Sequence, residues 1–182
     1  MVRSRKKIIR IGFDLDGVLV DKLPLIPRTW LEYLFRGRQK NGLHYRYPKI
    51  KLEIWIRKFF HFYLFRPPLK GNIKTIKKFK KQGYHLYLIS GRYSFLKKET
   101  MAWLKKRNVE NLFEGIYINL KDEQPYLFKE RMIEDLNLDG FFEDDKSIVN
   151  YLSLKKIKTK VLWVNQDKNF KIIFNDEKEK GF

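Results

Sequence analysis

Residues 7–18 read Lys-Ile-Ile-Arg-Ile-Gly-Phe-Asp-Leu-Asp-Gly-Val. The apolar and β-branched residues of 7–13 predict a buried strand. Asp14, Asp16 and Gly17 then predict a loop, because acidic residues and glycine are disfavoured in strands. Further apolar runs bounded by polar residues predict more strands along the chain. They cover 84–89, 115–119, 141–142 and 161–164, and residues 171–174 are a candidate edge strand.

Helical patterns lie between these predicted strands. In residues 70–82, Ile73, Ile76 and Phe79 recur every three positions, and Gly83 marks the helix end. The alternation of strands and helices predicts an α/β fold, in which helices cover both faces of a Rossmann-like parallel sheet in a three-layer sandwich. The other predicted helices cover 95–107, 128–136 and 147–154.

One segment interrupts this alternation. Residues 21–68, here called the insertion, lie between the loop after the first strand and the next predicted helix. They contain two helical patterns, 28–35 and 50–65, joined by a link at 37–48. An insertion directly after the carboxyl end of a strand can cover whatever binds there. We therefore predict a small helical cap at 21–68, an α/β core formed by 1–20 and 69–175, and a polar tail at 176–182.

The net charge of +19 is concentrated in one half of the chain. Residues 1–81 hold 22 Lys and Arg against 5 Asp and Glu, whereas residues 82–182 hold 18 against 16. This asymmetry predicts a face that meets something anionic, such as nucleic acid, a lipid headgroup surface or a polyphosphate substrate. A lysine-rich surface that serves only solubility is the alternative explanation.

The chain contains no cysteine. This excludes a disulfide scaffold, a thiolate zinc site and a cysteine nucleophile, and it is compatible with a reducing compartment. The densest apolar run, 59–65, is too short to span a bilayer, and the basic start leads into a strand pattern rather than a secretory signal. We expect a cytoplasmic protein, which the basic insertion could attach to the membrane surface.

Polar residues follow several predicted strands, at the edge where open α/β sheets bind their ligands. Asp14 and Asp16 follow the first strand, Ser90-Gly91-Arg92 the second, and Asp144-Asp145 the fourth. Carboxylates that converge on one point repel each other unless a cation joins them. Their hard oxygen atoms suit Mg²⁺, which commonly shares its coordination with phosphate and water. The sequence therefore predicts magnesium-dependent phosphoryl transfer at this edge.

Phosphoryl transfer needs a nucleophile, a proton donor and groups that neutralise the transferred oxygens. Asp14 can attack phosphorus because Mg²⁺ and Lys129 would offset its repulsion from the phosphate. Asp16 can protonate the leaving oxygen and later deprotonate water. The Ser90 hydroxyl and the Gly91 backbone amide can hold phosphate oxygens.

Four stretches resemble, in order, the four motifs of the haloacid dehalogenase superfamily. They are Asp14-Leu15-Asp16-Gly17-Val18, Ser90 at the end of Leu-Ile-Ser, Lys129, and Asp144-Asp145. The resemblance spans about residues 7–165. It implies a nucleophilic Asp14, an acid/base Asp16, and Mg²⁺ held by the side chains of Asp14 and Asp144 and the backbone carbonyl of Asp16. It also implies the strand order 3-2-1-4-5.

An aspartate at position 16 is what separates the phosphatases of this superfamily from its dehalogenases. The resemblance thus implies a phosphatase that hydrolyses phosphate monoesters through an aspartyl-phosphate intermediate. The insertion is similar to a C1-type cap, while residues 68–92 and the Glu143-Asp144-Asp145 ending are similar to the deoxyribonucleotidase-like branch. A nucleotide monophosphate is therefore the first expected substrate.

Three assignments stay open. Lys121 also follows the third predicted strand and could replace Lys129 as the phosphate lysine. Asp145 could support the metal site, cap the following helix, or do both. Arg92 could contact the substrate or form a surface ion pair.

The insertion is unusually rich in aromatic residues. At helical spacing, many of them must form its own core or pack on the sheet. Because Arg57, Lys58 and Arg66 lie among them, the segment could instead stack on bases or lie at a lipid interface. The alternative function is therefore a phosphatase-like module that binds lipid headgroups or nucleic acid through residues 21–68, and a homodimer is also compatible. The aromatic residues are Trp30, Tyr33, Phe35, Trp55, Phe59, Phe60, Phe62, Tyr63 and Phe65.

Overall fold

The computed structural model describes residues 8–21, Arg36, 43–155 and 157–164. Within them, five strands form one fully parallel sheet in the order β3-β2-β1-β4-β5, which confirms the predicted α/β class and strand order. The helix predicted at 28–35 and the edge strand predicted at 171–174 lie outside the described residues. The strands are β1 (Arg10–Phe13), β2 (His85–Tyr93), β3 (Gly115–Asn119), β4 (Gly140–Glu143) and β5 (Lys160–Trp163).

Five α-helices accompany the sheet in the described part of the chain, and four of them match predicted helices to within three residues at each end. None of the helices in this part has the length and apolar character needed to cross a membrane. The helices are α1 (Lys51–Phe60), α2 (Lys70–Lys81), α3 (Lys97–Lys106), α4 (Pro125–Asp135) and α5 (Lys146–Ser153).

The helix predicted at 50–65 was wrong in its second half, because α1 ends at Phe60. The backbone carbonyl of Arg57 accepts bonds from both the backbone N–H of His61 (3.1 Å) and its ring Nδ1 (2.7 Å). This contact satisfies one of the carbonyls that a helix end leaves without an intrahelical partner. The chain then continues in tight turns to Arg66.

The sheet is buried on both faces, as a three-layer sandwich requires. On one face, Phe13 of β1 stacks on Phe142 of β4, with ring centroids 5.1 Å apart, and α2 and α3 pack over them. On the other face, Phe141 packs with Ile133 of α4 and Leu152 of α5. Such complete burial of large apolar side chains is the main stabilising contribution in this fold.

The packing of β1 between β2 and β4 determines where the chemically interesting residues meet. Phe13 pairs with Leu88 on one side and with Phe142 on the other, so all three strands end at the same edge. The backbone N–H of Asp14 continues the ladder by donating to the carbonyl of Phe142 (2.9 Å). β2 continues to Tyr93, so Ser90-Gly91-Arg92, predicted to follow this strand, lie within its last residues. These residues and the ones at the carboxyl ends of β1 and β4 therefore lie at one common edge.

The insertion leaves and re-enters the core at one place. The backbone N–H of Asp21 donates to the carbonyl of Pro67 (2.8 Å), and that of Leu69 donates to the carbonyl of Leu19 (2.8 Å). Val20 also forms an isolated antiparallel bridge with Pro68. Residues 43–66 therefore return to the sheet edge at which Asp14 lies.

Candidate active site

A cavity of about 320 Å³ lies at the carboxyl edge of the sheet. Strand ends line one side of it and residues of the insertion line the other. Ser90 is fully buried, and its Oγ accepts a bond from the backbone N–H of Arg92 (3.4 Å), so a phosphate contact by Ser90 stays a prediction. The cavity does bring together seven of the predicted site residues, Asp14, Asp16, Gly91, Arg92, Lys129, Asp144 and Asp145.

One end of the cavity is formed by Asp14, Glu143, Asp144 and Lys129, and is here called the carboxylate end. Lys129 Nζ lies 3.1 Å from Asp14 Oδ1 and 2.5 Å from Glu143 Oε2. The side chains of all three are almost completely buried. Lys121, the alternative phosphate lysine, is exposed, so the geometry favours Lys129.

The electrostatics of the carboxylate end suit a divalent cation. Burial raises the pKa of Asp14 and of Glu143, and the attraction of Lys129 offsets this rise only in part. Burial would lower the pKa of Lys129, but Asp14 and Glu143 outweigh it and raise this pKa well above the ordinary value. Asp14 and Glu143 thus share one ammonium group, and Asp144 adds to the repulsion at Glu143. A divalent cation would reduce the repulsion among these carboxylates.

The arrangement of the oxygen atoms also fits such an ion. Carboxylate oxygens of Asp14, Glu143 and Asp144 all lie within 4.8 Å of one another, and Mg²⁺ prefers hard oxygen ligands of this kind. Asp14 and Asp144 were predicted as ligands, whereas Glu143 was not. A ligand role for the Asp16 carbonyl stays a prediction.

Gly17 permits Asp144 to reach this position. Its φ of +72° lies in the left-handed region, which favours glycine. A Cβ atom at Gly17 would lie 2.0 Å from Asp144 Oδ2, closer than nonbonded atoms can approach. The glycine of the Asp-x-Asp-Gly stretch is therefore required both by the turn and by the neighbouring carboxylate.

Asp145 caps α5, which was one of its two predicted roles. Its Oδ1 accepts a bond from the backbone N–H of Ser147 (2.9 Å), as expected at a helix N-terminus. Its Oδ2 accepts bonds from the Tyr45 hydroxyl and the Arg36 guanidinium. Burial would raise the pKa of Asp145, but these two partners outweigh it and lower the pKa. A supporting role of Asp145 at the metal stays a prediction.

A second part of the cavity is formed by Asp16, Arg66, Arg92 and His61, and is here called the arginine end. Arg92 donates to both carboxylate oxygens of Asp16, through Nε (2.7 Å) and Nη2 (2.7 Å). Arg66 Nη2 donates to Asp16 Oδ1 (2.5 Å). Burial would raise the pKa of Asp16, but the two arginines outweigh it and hold the pKa far below the ordinary value. Arg92 is nearly buried, so the alternative of a surface ion pair was wrong.

His61 adds no charge to the arginine end near neutral pH. Burial, reinforced by Arg92 and Arg66, lowers its pKa to about 3. Because its Nδ1 lies 2.7 Å from a carbonyl oxygen, that nitrogen carries the ring proton of the neutral form. The two guanidinium groups therefore face one carboxylate and one neutral ring.

Sequence reasoning missed several residues of this cavity. Glu143 stands in an acidic run at the end of a predicted strand, and that run was the signal that could have identified it. Arg66 directly precedes Pro67-Pro68, where the insertion returns to the core, but no motif marks it. His61 carries no ligand spacing relative to the other histidines. Tyr45 of the predicted link, and Arg36 just before that link, were missed as well, because no motif marks either residue.

Comparisons with known proteins identify the fold. No protein-family model matches the chain, and the comparison with curated proteins found no match. Several solved structures of haloacid dehalogenase-like proteins share its architecture at low sequence identity. A putative β-phosphoglucomutase from Thermotoga maritima has a TM-score of 0.60 and 18% identity, covering 89% of this chain and 88% of its own.

Two further structures are informative. A HAD-family enzyme from Bacteroides thetaiotaomicron, crystallised as an Asp-to-Ala mutant with magnesium and inorganic phosphate, has a TM-score of 0.57 and 14% identity, covering 91% of this chain and 98% of its own. A chain of the Pnkp1/Rnl/Hen1 RNA repair complex has a TM-score of 0.53 and 16% identity over 87% of this chain. The present chain spans only 43% of that protein. At these identities the similarity shows a shared fold.

Proposed function

We propose that this protein, which has the fold of the haloacid dehalogenase-like hydrolases, is a magnesium-dependent phosphomonoesterase that works through an aspartyl-phosphate intermediate. One observation carries the proposal: the carboxylate of Asp14 directly follows the central strand, 3.1 Å from Lys129 and beside two further carboxylates. This combination offers a nucleophile, a cation for the transferred oxygens and a metal site within one cavity.

In this proposal, different residues perform the separate tasks of phosphoryl transfer. The Asp14 carboxylate attacks phosphorus, and Lys129 neutralises charge that develops on the phosphoryl oxygens. When bound by Asp14, Asp144 and Glu143, Mg²⁺ would neutralise further phosphate charge. Gly91 lines the cavity near Lys129, and in this proposal its backbone amide donates to a phosphate oxygen.

Asp16 is the proposed acid and base of the reaction. In the structure its carboxylate is occupied by Arg66 and Arg92. Proton transfer to the leaving oxygen therefore requires that at least one of these ion pairs opens when substrate binds. The neighbour that was crystallised with magnesium and inorganic phosphate supports the same class of chemistry for this chain, and a nucleotide monophosphate remains the first candidate substrate.

The test is release of inorganic phosphate from nucleotides, sugar phosphates, phospholipid phosphates and phosphorylated oligonucleotides. We expect release from one class with Mg²⁺, none after chelation, and a loss of about 10³-fold or more in kcat for Asp14→Asn. Asp135→Asn is the matched control, because Asp135 is an exposed aspartate on α4. Full activity of a folded Asp14→Asn protein would contradict the mechanism.

A second candidate function is recruitment to an anionic lipid surface. The outward face of α1 carries Trp55 and Phe59, which are 63% and 48% exposed and stack with ring centroids 5.9 Å apart. The same helix buries Arg57, which pairs with Glu53 (2.7 Å). An apolar aromatic face within a strongly basic half of the chain suits the interface of a membrane with anionic headgroups.

This candidate is tested by sedimentation with vesicles of phosphatidylcholine, with and without about 30% phosphatidylserine. We expect salt-sensitive binding to the anionic vesicles, and loss of binding when Trp55 and Phe59 are both replaced by serine. Leu154→Ser is the control, because Leu154 is 87% exposed at the end of α5. Binding only to oligonucleotides, or formation of a homodimer without vesicle binding, would exclude the lipid role.

A further inference from the structure

The two ends of the cavity carry opposite charge. The carboxylate end has three carboxylates against one ammonium group, an arrangement that a divalent cation would complete. The arginine end has two guanidinium groups against the single carboxylate of Asp16, and His61 beside them is neutral. Within these four residues one positive charge is in excess, and the carboxylates of Asp144 and Asp21 outside the group also attract Arg66.

The two arginines also hold more hydrogen-bond donors than Asp16 can satisfy. The side chain of Arg66 is only 7% exposed, and its Nε is buried without a hydrogen-bond partner among the described residues. The guanidinium of Arg92 is 4% exposed and uses three of its nitrogens, two on Asp16 and Nη1 on Thr100 Oγ1 (3.1 Å). A buried donor without a partner is costly, and native structures contain few of them.

The backbone holds Arg66 in place. Its carbonyl accepts a bond from Trp103 Nε1 (2.7 Å), and Trp103 is fully buried in α3. The guanidinium thus projects into the cavity from a point that is fixed to the core, although Arg66 belongs to the insertion. A donor group that is already positioned loses little conformational freedom when it binds an anion.

We propose that Arg66 and Arg92 form a second anion subsite, and that the substrate is a phosphate monoester carrying a second oxyanion group, either phosphate or carboxylate. The proposal rests on the proposed phosphomonoesterase function, with the scissile phosphate at the carboxylate end. The second oxyanion accepts the guanidinium N–H groups that now contact Asp16, together with the unpartnered Nε of Arg66. Planar guanidinium forks match the oxygen spacing of both phosphate and carboxylate.

A purely structural role is the competing explanation. Arg66 could simply fasten the insertion to the core through Asp16. Both explanations predict that replacing Arg66 lowers stability, so stability cannot separate them. They differ in selectivity, because only a subsite changes the relative use of substrates that differ in their second anionic group.

The experiment therefore compares matched pairs of substrates. Fructose 1,6-bisphosphate is paired with fructose 6-phosphate, adenosine 3′,5′-bisphosphate with adenosine 5′-monophosphate, and 3-phosphoglycerate with glycerol 3-phosphate. For at least one pair we expect the native protein to favour the doubly anionic member by about tenfold or more in kcat/KM. The third pair tests a carboxylate, and the first two test a phosphate.

Arg66→Gln should reduce this preference to within about twofold of unity. Arg66→Lys keeps the positive charge but loses the planar guanidinium with its paired N–H donors. This variant is used in the same assay if Arg66→Gln does not fold. Arg131→Gln is the control and should keep the native preference, since Arg131 is exposed on α4 and pairs with Glu123. If the native protein hydrolyses both members of every pair equally, the proposed subsite is wrong but the proposed hydrolase activity stands. The same conclusion follows if the preference for the doubly anionic member persists in the Arg66 variants.

Calorimetry with the Asp14→Asn protein separates the two proposals if no ester is hydrolysed. Tighter binding of fructose 1,6-bisphosphate than of fructose 6-phosphate, lost when Arg66→Gln is added, would support the subsite while the hydrolase fails. Equal or absent binding of the two sugars would overturn the subsite as well.

Discussion

The carboxylate end and the arginine end line one cavity, but they are built in different ways. Residues of the carboxylate end directly follow β1, end or follow β4, or stand on α4. The arginine end combines Asp16 and Arg92, which belong to the core, with Arg66 and His61 of the insertion. One end is assembled by the sheet alone, whereas the other exists only once the insertion lies against the sheet.

This difference in origin corresponds to a difference in chemistry. An excess of buried carboxylates favours a cation, and an excess of guanidinium groups favours an anion. The proposed cation site arises from the strand ends of the fold, where parallel sheets generally bind their ligands. The insertion adds Arg66 and His61, and the proposed anion subsite uses Arg66 to distinguish one phosphate ester from another. We therefore expect changes at the carboxylate end to affect turnover and stability, and changes at the arginine end to affect selectivity and pH response.

The largest expected effect on stability concerns Lys129. Lys129→Met leaves Asp14 and Glu143 as buried carboxylates without their cation, which should cost about 3 kcal/mol of unfolding free energy. Lys121→Met is the control and should cost less than about 0.5 kcal/mol, because Lys121 is exposed. Urea unfolding in the absence of Mg²⁺ measures both. Equal unfolding midpoints for the two variants would show that Lys129 does not balance the carboxylate end.

Gly17 and Gly83 offer a second contrast. Both have positive φ, +72° and +83°, so alanine at either position should cost about 1–2 kcal/mol of backbone strain. Only at Gly17 would the added Cβ meet Asp144, whereas nothing lies within 4 Å of it at Gly83. Gly17→Ala should therefore also weaken the stabilisation of the protein by Mg²⁺, measured as the shift in Tm on adding the ion. The same Mg²⁺ response in both variants would contradict a role of Asp144 in metal binding.

A comparison of the adjacent residues Asp144 and Asp145 tests which of them binds Mg²⁺. Asp144→Asn should raise the Mg²⁺ concentration for half-maximal activity by about tenfold or more, because it removes a charged ligand. Asp145→Asn should change it less, since Asp145 is held by Tyr45 and Arg36 and asparagine caps a helix equally well. Activity titrations with Mg²⁺ give both values. A larger effect of Asp145→Asn would indicate that the metal binds closer to α5 than proposed.

The effect expected to be smallest near neutral pH is that of His61 at the arginine end, because it develops only as the pH falls. Burial lowers the pKa of His61 to about 3 from an ordinary value of 6.5. Between these values the unfolded chain binds one more proton, so stability is complete above about pH 6.5 and falls by up to about 1.4 kcal/mol per pH unit below it. His61→Gln should lose less stability than the native protein between pH 6.5 and 4.5, as measured by urea unfolding.

His44→Gln provides the matched control for this measurement, because the His44 side chain is exposed. We expect the His44 variant to follow the native pH profile. If the His61 variant follows that profile too, His61 is not held neutral in the folded protein.

The sequence was sufficient for the sheet and for most of the carboxylate end. β3 begins and ends where it was predicted, and each end of β4 and β5 differs from its predicted position by one residue. β1 begins three residues later than predicted, and β2 continues four residues past its predicted end. Asp14, Lys129 and Asp144 were identified because each stands at a strand end or on a helix whose periodicity is clear. Glu143 was missed because the last residue of a strand is more often structural, and only its contact with Lys129 identifies it.

The insertion was much less predictable. Its aromatic residues have helical spacing through position 65, yet α1 ends at Phe60, because His61 bonds to the carbonyl of Arg57 and the chain turns into the site. Periodicity reports which residues can share a face, but it does not report a local bond that ends a helix. Periodicity also could not predict that Arg66 and Arg92 pair with Asp16, because 50 and 76 residues separate them from it.

The resemblance to the superfamily supplied the expected strand order. The sequence by itself determined the alternation of strands and helices, the two covered faces of the sheet and the edge at which the carboxylates meet. These features follow from local patterns, because each strand or helix carries its own apolar periodicity and parallel strands end at a common edge. Only the tertiary structure decided that Arg66 and Arg92 share the carboxylate of Asp16. An ion pair between distant residues depends on how the insertion packs against the core, and no local pattern in the chain records that packing.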